Sequence, residues 1–97
     1  MDIKVFGLPC TKTNRTMMNV EAAVIELDNR TKVYQISDIQ KMREWGVVYT
    51  PTVMVNDKEK SSGRIPSVHE ILTWIEEEQR NNTVVNKQQN RERTGEN

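Results

Sequence analysis

The sequence predicts a single α/β domain with the element order β-α-β-α-β-β-α, in which a four-stranded mixed sheet is flanked by three helices. Short runs of β-branched and aromatic residues at 3–6, 32–36 and 52–55 are typical of strands. Between and after these runs, apolar residues recur at three- and four-residue spacing, as they do in amphipathic helices. The length of 97 residues leaves room for one domain only.

The first strand and the first helix are joined by a turn that ends at Cys10. The strand, Ile3 to Phe6, is closed by Gly7-Leu8-Pro9. From Thr11 onward the pattern takes the period of a helix. Its apolar stripe consists of Met17, Val20, Val24 and Leu27.

The next two elements are a strand and a short helix. Residues 32–36 form the second strand, which should run parallel to the first because a helix joins them. Asp38 can cap a short helix that contains Ile39 and Met42, and Gly46 should end it.

The last three elements are a hairpin and a helix. Asn56-Asp57 supplies turn chemistry between the strand at 52–55 and a charged segment at 58–62, which suits an antiparallel edge strand. Ser67 and Glu70 have the spacing of a capping box. The helix that follows has an apolar stripe of Val68, Ile71, Leu72 and Ile75.

The folded domain is predicted to span residues 1–79. Beyond it the chain is rich in Gln, Asn and Arg and has few apolar residues, so residues 80–97 are predicted to form a disordered polar tail.

Composition excludes several classes of function. Fourteen basic and fourteen acidic residues balance, whereas nucleic-acid and anionic-membrane binders carry a basic excess. No apolar run approaches the roughly 20 residues that span a bilayer. A single cysteine fits a reducing compartment, so we expect a cytoplasmic protein. No residue cluster predicts a metal site.

Cys10 is the candidate nucleophile. Free N–H groups and the positive end of a helix favour a thiolate and lower the pKa of a cysteine at this position. Lys12 adds a nearby positive charge, and Pro9 stiffens the approach to the thiol. The alternative is that Cys10 is an ordinary packed residue, since cysteine is often buried.

Two segments resemble the signatures of the thioredoxin and glutaredoxin superfamily. Gly7-Leu8-Pro9-Cys10-Thr11-Lys12-Thr13 is similar to the segment that holds the Cys-x-x-Cys motif of these proteins. Residues 46–56 resemble the second signature, in which a proline, usually cis, precedes a strand. Over about residues 2 to 78 the chain looks most like the small redox-active-disulfide proteins of prokaryotes, which have a thioredoxin-like fold.

This resemblance implies roles for the residues around the thiol. Pro51 would be the cis-proline, and the backbone of Thr50 would pair with a substrate chain. A trans proline that opens an edge strand remains the alternative for Pro51. The residues expected to contact substrate are Pro9, Thr11, Lys12, Thr50 and Pro51.

Thr13 stands where the family has its second cysteine. Its hydroxyl can hydrogen-bond the Cys10 thiolate, as the serine does in monothiol glutaredoxins, but it cannot resolve a mixed disulfide. The resemblance therefore implies a monothiol thiol–disulfide oxidoreductase. Its substrate would be a protein disulfide or the disulfide of a small thiol. Glutathione would be the thiol co-substrate, and no other cofactor is expected.

A second hypothesis keeps the fold without the catalysis. Because Thr13 replaces the resolving cysteine, the domain could instead be a binding module for an extended peptide or protein partner. We expect a monomer, and a dimer linked through Cys10 is a third alternative.

Overall fold

A computed structural model describes residues 1–27 and 30–88, and its seven elements follow the predicted order. The predicted thioredoxin-like α/β fold class is confirmed. The strands are β1 (Asp2–Phe6), β2 (Lys32–Ile36), β3 (Thr52–Val55) and β4 (Lys58–Ser62). The helices are α1 (Thr11–Glu26), α2 (Ile39–Glu44) and α3 (Val68–Gln88).

The four strands form one mixed sheet in the order β2-β1-β3-β4. Strands β1 and β2 are parallel, and β3 and β4 form an antiparallel hairpin, so both predicted pairings are confirmed. Asn56 and Asp57 turn this hairpin with φ angles of 51° and 65°. Positive φ at both central positions suits the right-handed twist of the two strands, and Asn and Asp adopt it readily.

The register between β1 and β3 determines where the reactive turn lies. These strands are antiparallel, with Phe6 opposite Thr52 at the end of the ladder. The segment that leaves β1, residues 7–10, therefore lies beside the segment that enters β3, residues 49–51. Two parts of the chain that are 40 residues apart meet at one end of the sheet.

Each face of the sheet has its own apolar cluster. Helices α1 and α3 cover one face and α2 covers the other. The larger cluster consists of Ile3, Val5, Val20, Ala23, Val53, Val55, Ile71 and Ile75. The smaller one consists of Phe6, Met42 and Met54. Alternation along the strands produces this division, since Val53 and Val55 face one side while Met54 faces the other.

The buried face of α1 differs from the predicted apolar stripe. Thr13 and Thr16 are buried at its start, while Met17 and Val24 are only partly buried. The Thr16 hydroxyl donates to the Lys12 carbonyl at 2.8 Å, which satisfies it inside the protein. Two small polar side chains are therefore inside, where hydrophobic periodicity does not reveal them.

Side-chain caps begin α2 and α3 as predicted. The Asp38 carboxylate accepts from the Gln40 backbone N–H at 2.8 Å. Ser67 and Glu70 cap each other: the Glu70 N–H donates to Ser67 Oγ at 3.1 Å, and the Ser67 N–H donates to Glu70 Oε1 at 2.9 Å. Arg64 adds two hydrogen bonds to the same carboxylate and, with Ser67, lowers the pKa of Glu70 to about 2.

Helix α3 is longer than predicted. It continues through residues 80–88, which the sequence assigns to a disordered tail. Neither Gly nor Pro occurs between positions 67 and 94, and once a helix is nucleated each added residue costs little. The remainder of the predicted tail, residues 89–97, lies outside the described residues.

A buried carboxylate joins α3 to the hairpin. Glu78 is only 2% exposed, and its two oxygens lie 3.1 Å from Lys60 Nζ and 3.3 Å from Lys58 Nζ. Burial raises the pKa of Glu78, but the hydrogen bonds and charges of the two lysines outweigh this and lower it overall. Strand β4 has few residues of high strand propensity, so these pairs help to hold it in place.

Replacing Glu78 with glutamine should destabilise the protein by about 1–2 kcal/mol at pH 7, because both lysines lose their buried partner. Since the folded-state pKa of Glu78 is lowered, its contribution is complete above the unfolded value of about 4.3 and is lost as pH falls through the folded value. Urea unfolding at pH 7 and at pH 2–3 measures both effects. The control is Glu76→Gln, an exposed site on α3. An equal loss in the control, or a difference that persists undiminished in acid, would contradict this account.

Candidate active site at the start of helix α1

The cysteine occupies the N-cap position of α1. Cys10 has extended backbone angles, φ −163° and ψ 174°, and its side chain is exposed. Its carbonyl accepts the first hydrogen bond of the helix, from the Asn14 N–H at 2.8 Å. The strand-turn-helix order thus presents the thiol to solvent at the end of the sheet.

Thr13 contacts this thiol from one helical turn away. The Cys10 sulfur and the Thr13 Oγ1 are 3.5 Å apart, and either group can donate when the thiol is protonated. Once the thiol has ionised, only the hydroxyl can donate. Thr13 is 1% exposed, so its hydroxyl reaches the sulfur from the protein side and leaves the outer side of the sulfur open.

The surroundings of Cys10 favour the thiolate. The pKa of the thiol is lowered chiefly by the Thr13 hydroxyl and then by the Thr13 backbone N–H, with smaller contributions from the N–H and charge of Lys12. Partial desolvation acts in the opposite direction. The sulfur makes no well-formed capping hydrogen bond with the first turn, and its side-chain hydrogen bond is to Thr13 Oγ1.

The segment before β3 has a defined shape. The Thr50–Pro51 peptide bond is cis, and Pro51 is buried. The Pro51 carbonyl accepts from the Gly63 N–H at 2.9 Å, and the Thr52 hydroxyl donates to the Tyr49 carbonyl. These bonds secure the turn from both sides, so it stays beside the thiol segment that the β1–β3 register places next to it.

The other residues predicted to contact substrate lie on this end of the molecule. Pro9, Thr11 and Lys12 are exposed on the two sides of Cys10, and Thr50 is exposed before the buried Pro51. The Thr13 hydroxyl contacts the Cys10 sulfur directly. The β1–β3 register places the segment that contains Thr50 and Pro51 alongside the thiol segment.

Three exposed apolar side chains lie on the two segments that meet at this end of the sheet, and sequence reasoning did not assign them to the site. Leu8 is 51% exposed, Val48 is 78% exposed and Tyr49 is 67% exposed. Their position in the sequence could have indicated them, because Val48 and Tyr49 are adjacent apolar residues outside any predicted strand and are separated from Pro51 only by Thr50. Exposed apolar residues that share one end of a domain are typical of a surface that binds another molecule.

Chemically, the arrangement offers one accessible thiol with a lowered pKa and no second thiol in the chain. Within residues 1–27 and 30–88, no three His, Cys, Asp or Glu side chains are grouped as metal ligands. In the same part of the chain, no helix combines the length and apolar character needed to cross a bilayer.

Comparison with known proteins agrees with this geometry. Residues 1–76 match the family model described as a thioredoxin domain. A thioredoxin of Methanocaldococcus jannaschii is 41% identical over 69 residues, which cover 71% of this chain and 79% of that protein. The family match includes both the thiol segment and the Thr50–Pro51 turn.

Proposed function

Because the chain belongs to the thioredoxin family of redox proteins, we propose that it carries out monothiol thiol–disulfide exchange through Cys10. The observation that carries the proposal is the exposed Cys10 sulfur at the start of α1, with the Thr13 hydroxyl 3.5 Å away. A thiolate is the attacking species in disulfide exchange, and both the helix start and this hydroxyl favour it.

The proposed reaction has two balanced steps. The Cys10 thiolate attacks one sulfur of a substrate disulfide, which forms a mixed disulfide with Cys10 and releases the other sulfur as a thiolate. A thiolate from solution, such as glutathione, then attacks the mixed disulfide and returns Cys10 as a thiolate. In each cycle the external thiol ends in a disulfide with the substrate sulfur that Cys10 had bound. Where that sulfur belongs to glutathione the product is oxidised glutathione; otherwise a second external thiol releases it and completes the two-electron reduction.

Thr13 favours the attack by Cys10 but cannot itself release the mixed disulfide in the second step. Its hydroxyl can donate to the Cys10 thiolate before attack and to the leaving sulfur of Cys10 when an external thiol releases it. The hydroxyl stays protonated near neutral pH and is too weak a nucleophile to open a disulfide. The Cys-x-x-Thr sequence therefore supports a cycle that depends on an outside thiol.

The neighbouring turn supports binding of an extended substrate. Thr50 is exposed immediately before Pro51, so its backbone can pair with a chain laid across the end of the sheet. The exposed side chains of Leu8, Val48 and Tyr49, on the two segments that meet at this end of the sheet, offer apolar contact to such a chain. Such contacts favour a peptide or protein disulfide as the substrate, with the small thiol as reductant.

The test uses a peptide whose single cysteine carries glutathione. With reduced glutathione present, the protein should accelerate release of the peptide thiol, and a glutathione adduct on Cys10 should be detectable by intact mass. Omitting reduced glutathione should stop the reaction after one turnover. A free Cys10 pKa at the ordinary value of about 8.5, together with no adduct, would overturn the proposal.

A binding module without catalysis is the second candidate, and the exposed Leu8, Val48 and Tyr49 favour it. A partner that binds equally well before and after alkylation of Cys10 would support this candidate. Loss of binding on alkylation, with exchange activity in the untreated protein, would support the redox function. Non-reducing electrophoresis in the same samples reports any dimer linked through Cys10.

A further inference from the structure

We infer that Gly7 is a positioning residue for the exchange reaction: its lack of a side chain leaves the space in which the Thr13 hydroxyl meets the Cys10 thiol. This inference rests on the monothiol exchange proposed above and adds a residue that acts only through Thr13.

The space beside Thr13 is too small for even one methyl group. A Cβ atom added at Gly7 would lie 2.4 Å from Thr13 Oγ1, 3.2 Å from its Cγ2 and 3.4 Å from its Cβ. The first distance is well inside van der Waals contact, and carbon atoms reach their optimal separation only at about 3.5–4.0 Å. The atom in the most severe conflict is the hydroxyl oxygen that contacts Cys10.

Backbone conformation does not explain a glycine at this position. Gly46 and Gly63 have φ angles of 73° and 77°, in the left-handed region that favours glycine. The φ angle of Gly7 lies outside that region. An L-residue could therefore adopt the backbone of Gly7, and what excludes it is the side chain of Thr13.

The backbones of Gly7 and Thr13 are both held in place and cannot move apart to make room for an added methyl group. The Gly7 N–H donates to the Ile36 carbonyl at 3.0 Å, and the Gly7 carbonyl accepts from Ser37 Oγ at 3.1 Å, so β2 and the residue after it fix the glycine. Thr13 is buried in the first turn of α1. The steric clash of an added methyl group with Thr13 would thus be relieved mainly by rotation of the Thr13 side chain, which takes Oγ1 away from the sulfur.

Losing that contact would change the pKa of Cys10, although Cys10 itself is not substituted. The Thr13 hydroxyl is the largest of the contributions that lower the Cys10 pKa. When Oγ1 turns away, the thiolate keeps only the backbone N–H groups and the charge of Lys12. The Cys10 pKa should then rise toward that of a free thiol.

A double-mutant cycle tests the inference with Gly7→Ala, Thr13→Ala and the combined variant. The pH dependence of Cys10 alkylation by iodoacetamide gives the pKa in each protein, and urea unfolding gives the stability. Below the wild-type midpoint, we expect each single variant to react about threefold more slowly, as loss of one long, partly buried hydrogen bond to the sulfur predicts. In the combined variant the Cβ–Cβ distance of 3.4 Å is an ordinary contact, so its pKa should equal that of Thr13→Ala. Its stability should exceed that of Gly7→Ala.

Each outcome decides the question. A Gly7→Ala profile that matches the wild type, or effects of the two substitutions that add, would overturn the inference. If Gly7→Ala does not fold, folding of the combined variant supports the inference, and failure of both contradicts it. A wild-type midpoint at the free-thiol value defeats the proposed function instead, so the two failures are distinguishable.

Discussion

Replacing Cys10 with serine is expected to reduce exchange with a glutathionylated peptide to the uncatalysed background, a loss of at least about a hundredfold, because a serine hydroxyl does not ionise near neutral pH. The chain has no other cysteine to substitute for it. Release of the peptide thiol under reduced glutathione is the measurement.

This variant should fold normally, since the replaced side chain is exposed. The matched control is Met18→Ser, which introduces the same hydroxyl at a site that is 67% exposed on α1 and should leave exchange unchanged. If Cys10→Ser retains exchange, the activity does not come from this chain. If the wild type shows no exchange while the variant retains partner binding, the binding-module function is supported.

Replacing Thr13 with cysteine is expected to convert the protein into a dithiol reductase. The Thr13 oxygen already lies 3.5 Å from the Cys10 sulfur, and a sulfur in its place needs only a modest adjustment to reach bonding distance. Attack by a neighbouring thiol is intramolecular, so release of a mixed disulfide should become at least about tenfold faster and independent of glutathione.

Intact mass and thiol counting after mild oxidation would show whether the internal disulfide forms, and reduction of a protein disulfide with dithiothreitol as the electron source would report turnover. The matched control is Thr16→Cys, a second buried threonine of α1 whose side chain hydrogen-bonds the Lys12 carbonyl instead of meeting the thiol. An equal gain in this control, or no internal disulfide in Thr13→Cys, would contradict the proximity argument.

Local chemistry explains why so many element boundaries could be predicted. Asn56-Asp57 turns a hairpin because both residues tolerate positive φ, and Ser67 caps a helix because its hydroxyl reaches a free N–H. These signals act over a few residues and are visible in the sequence. The end of α3 was missed because low apolar content was taken to end the helix, although no Gly or Pro stops it before residue 88.

Long-range packing was harder to predict. Nothing local places β3 next to β1, and it is this pairing that brings Pro51 beside the thiol segment. Thr13 and Thr16 are polar, so hydrophobic periodicity assigned the inner face of α1 to its larger apolar neighbours.

The candidate site likewise combines features that the sequence predicts with features that arise only from long-range packing. Cys10 was identified from its residue type and its place at a helix start, and Thr13 and Pro51 from the resemblance to the thioredoxin and glutaredoxin signatures. Gly7 was assigned to a turn, since its steric relation to the Thr13 side chain exists only in three dimensions. The exposed apolar side chains at this end of the sheet were missed because Leu8 and Tyr49 lie in connecting segments that have no periodicity.

The Glu78 pairs also fix the direction in which α3 leaves the sheet. The helix follows β4 near the Pro51 turn, and by Glu78 it has returned to the hairpin end, where it meets Lys58. A fluorophore, affinity tag or second domain attached to α3 beyond Glu78 would therefore lie at the hairpin end of the sheet, opposite the end that carries the Cys10 sulfur. Immobilising the protein through that helix should leave the face around Cys10 free for incoming disulfides.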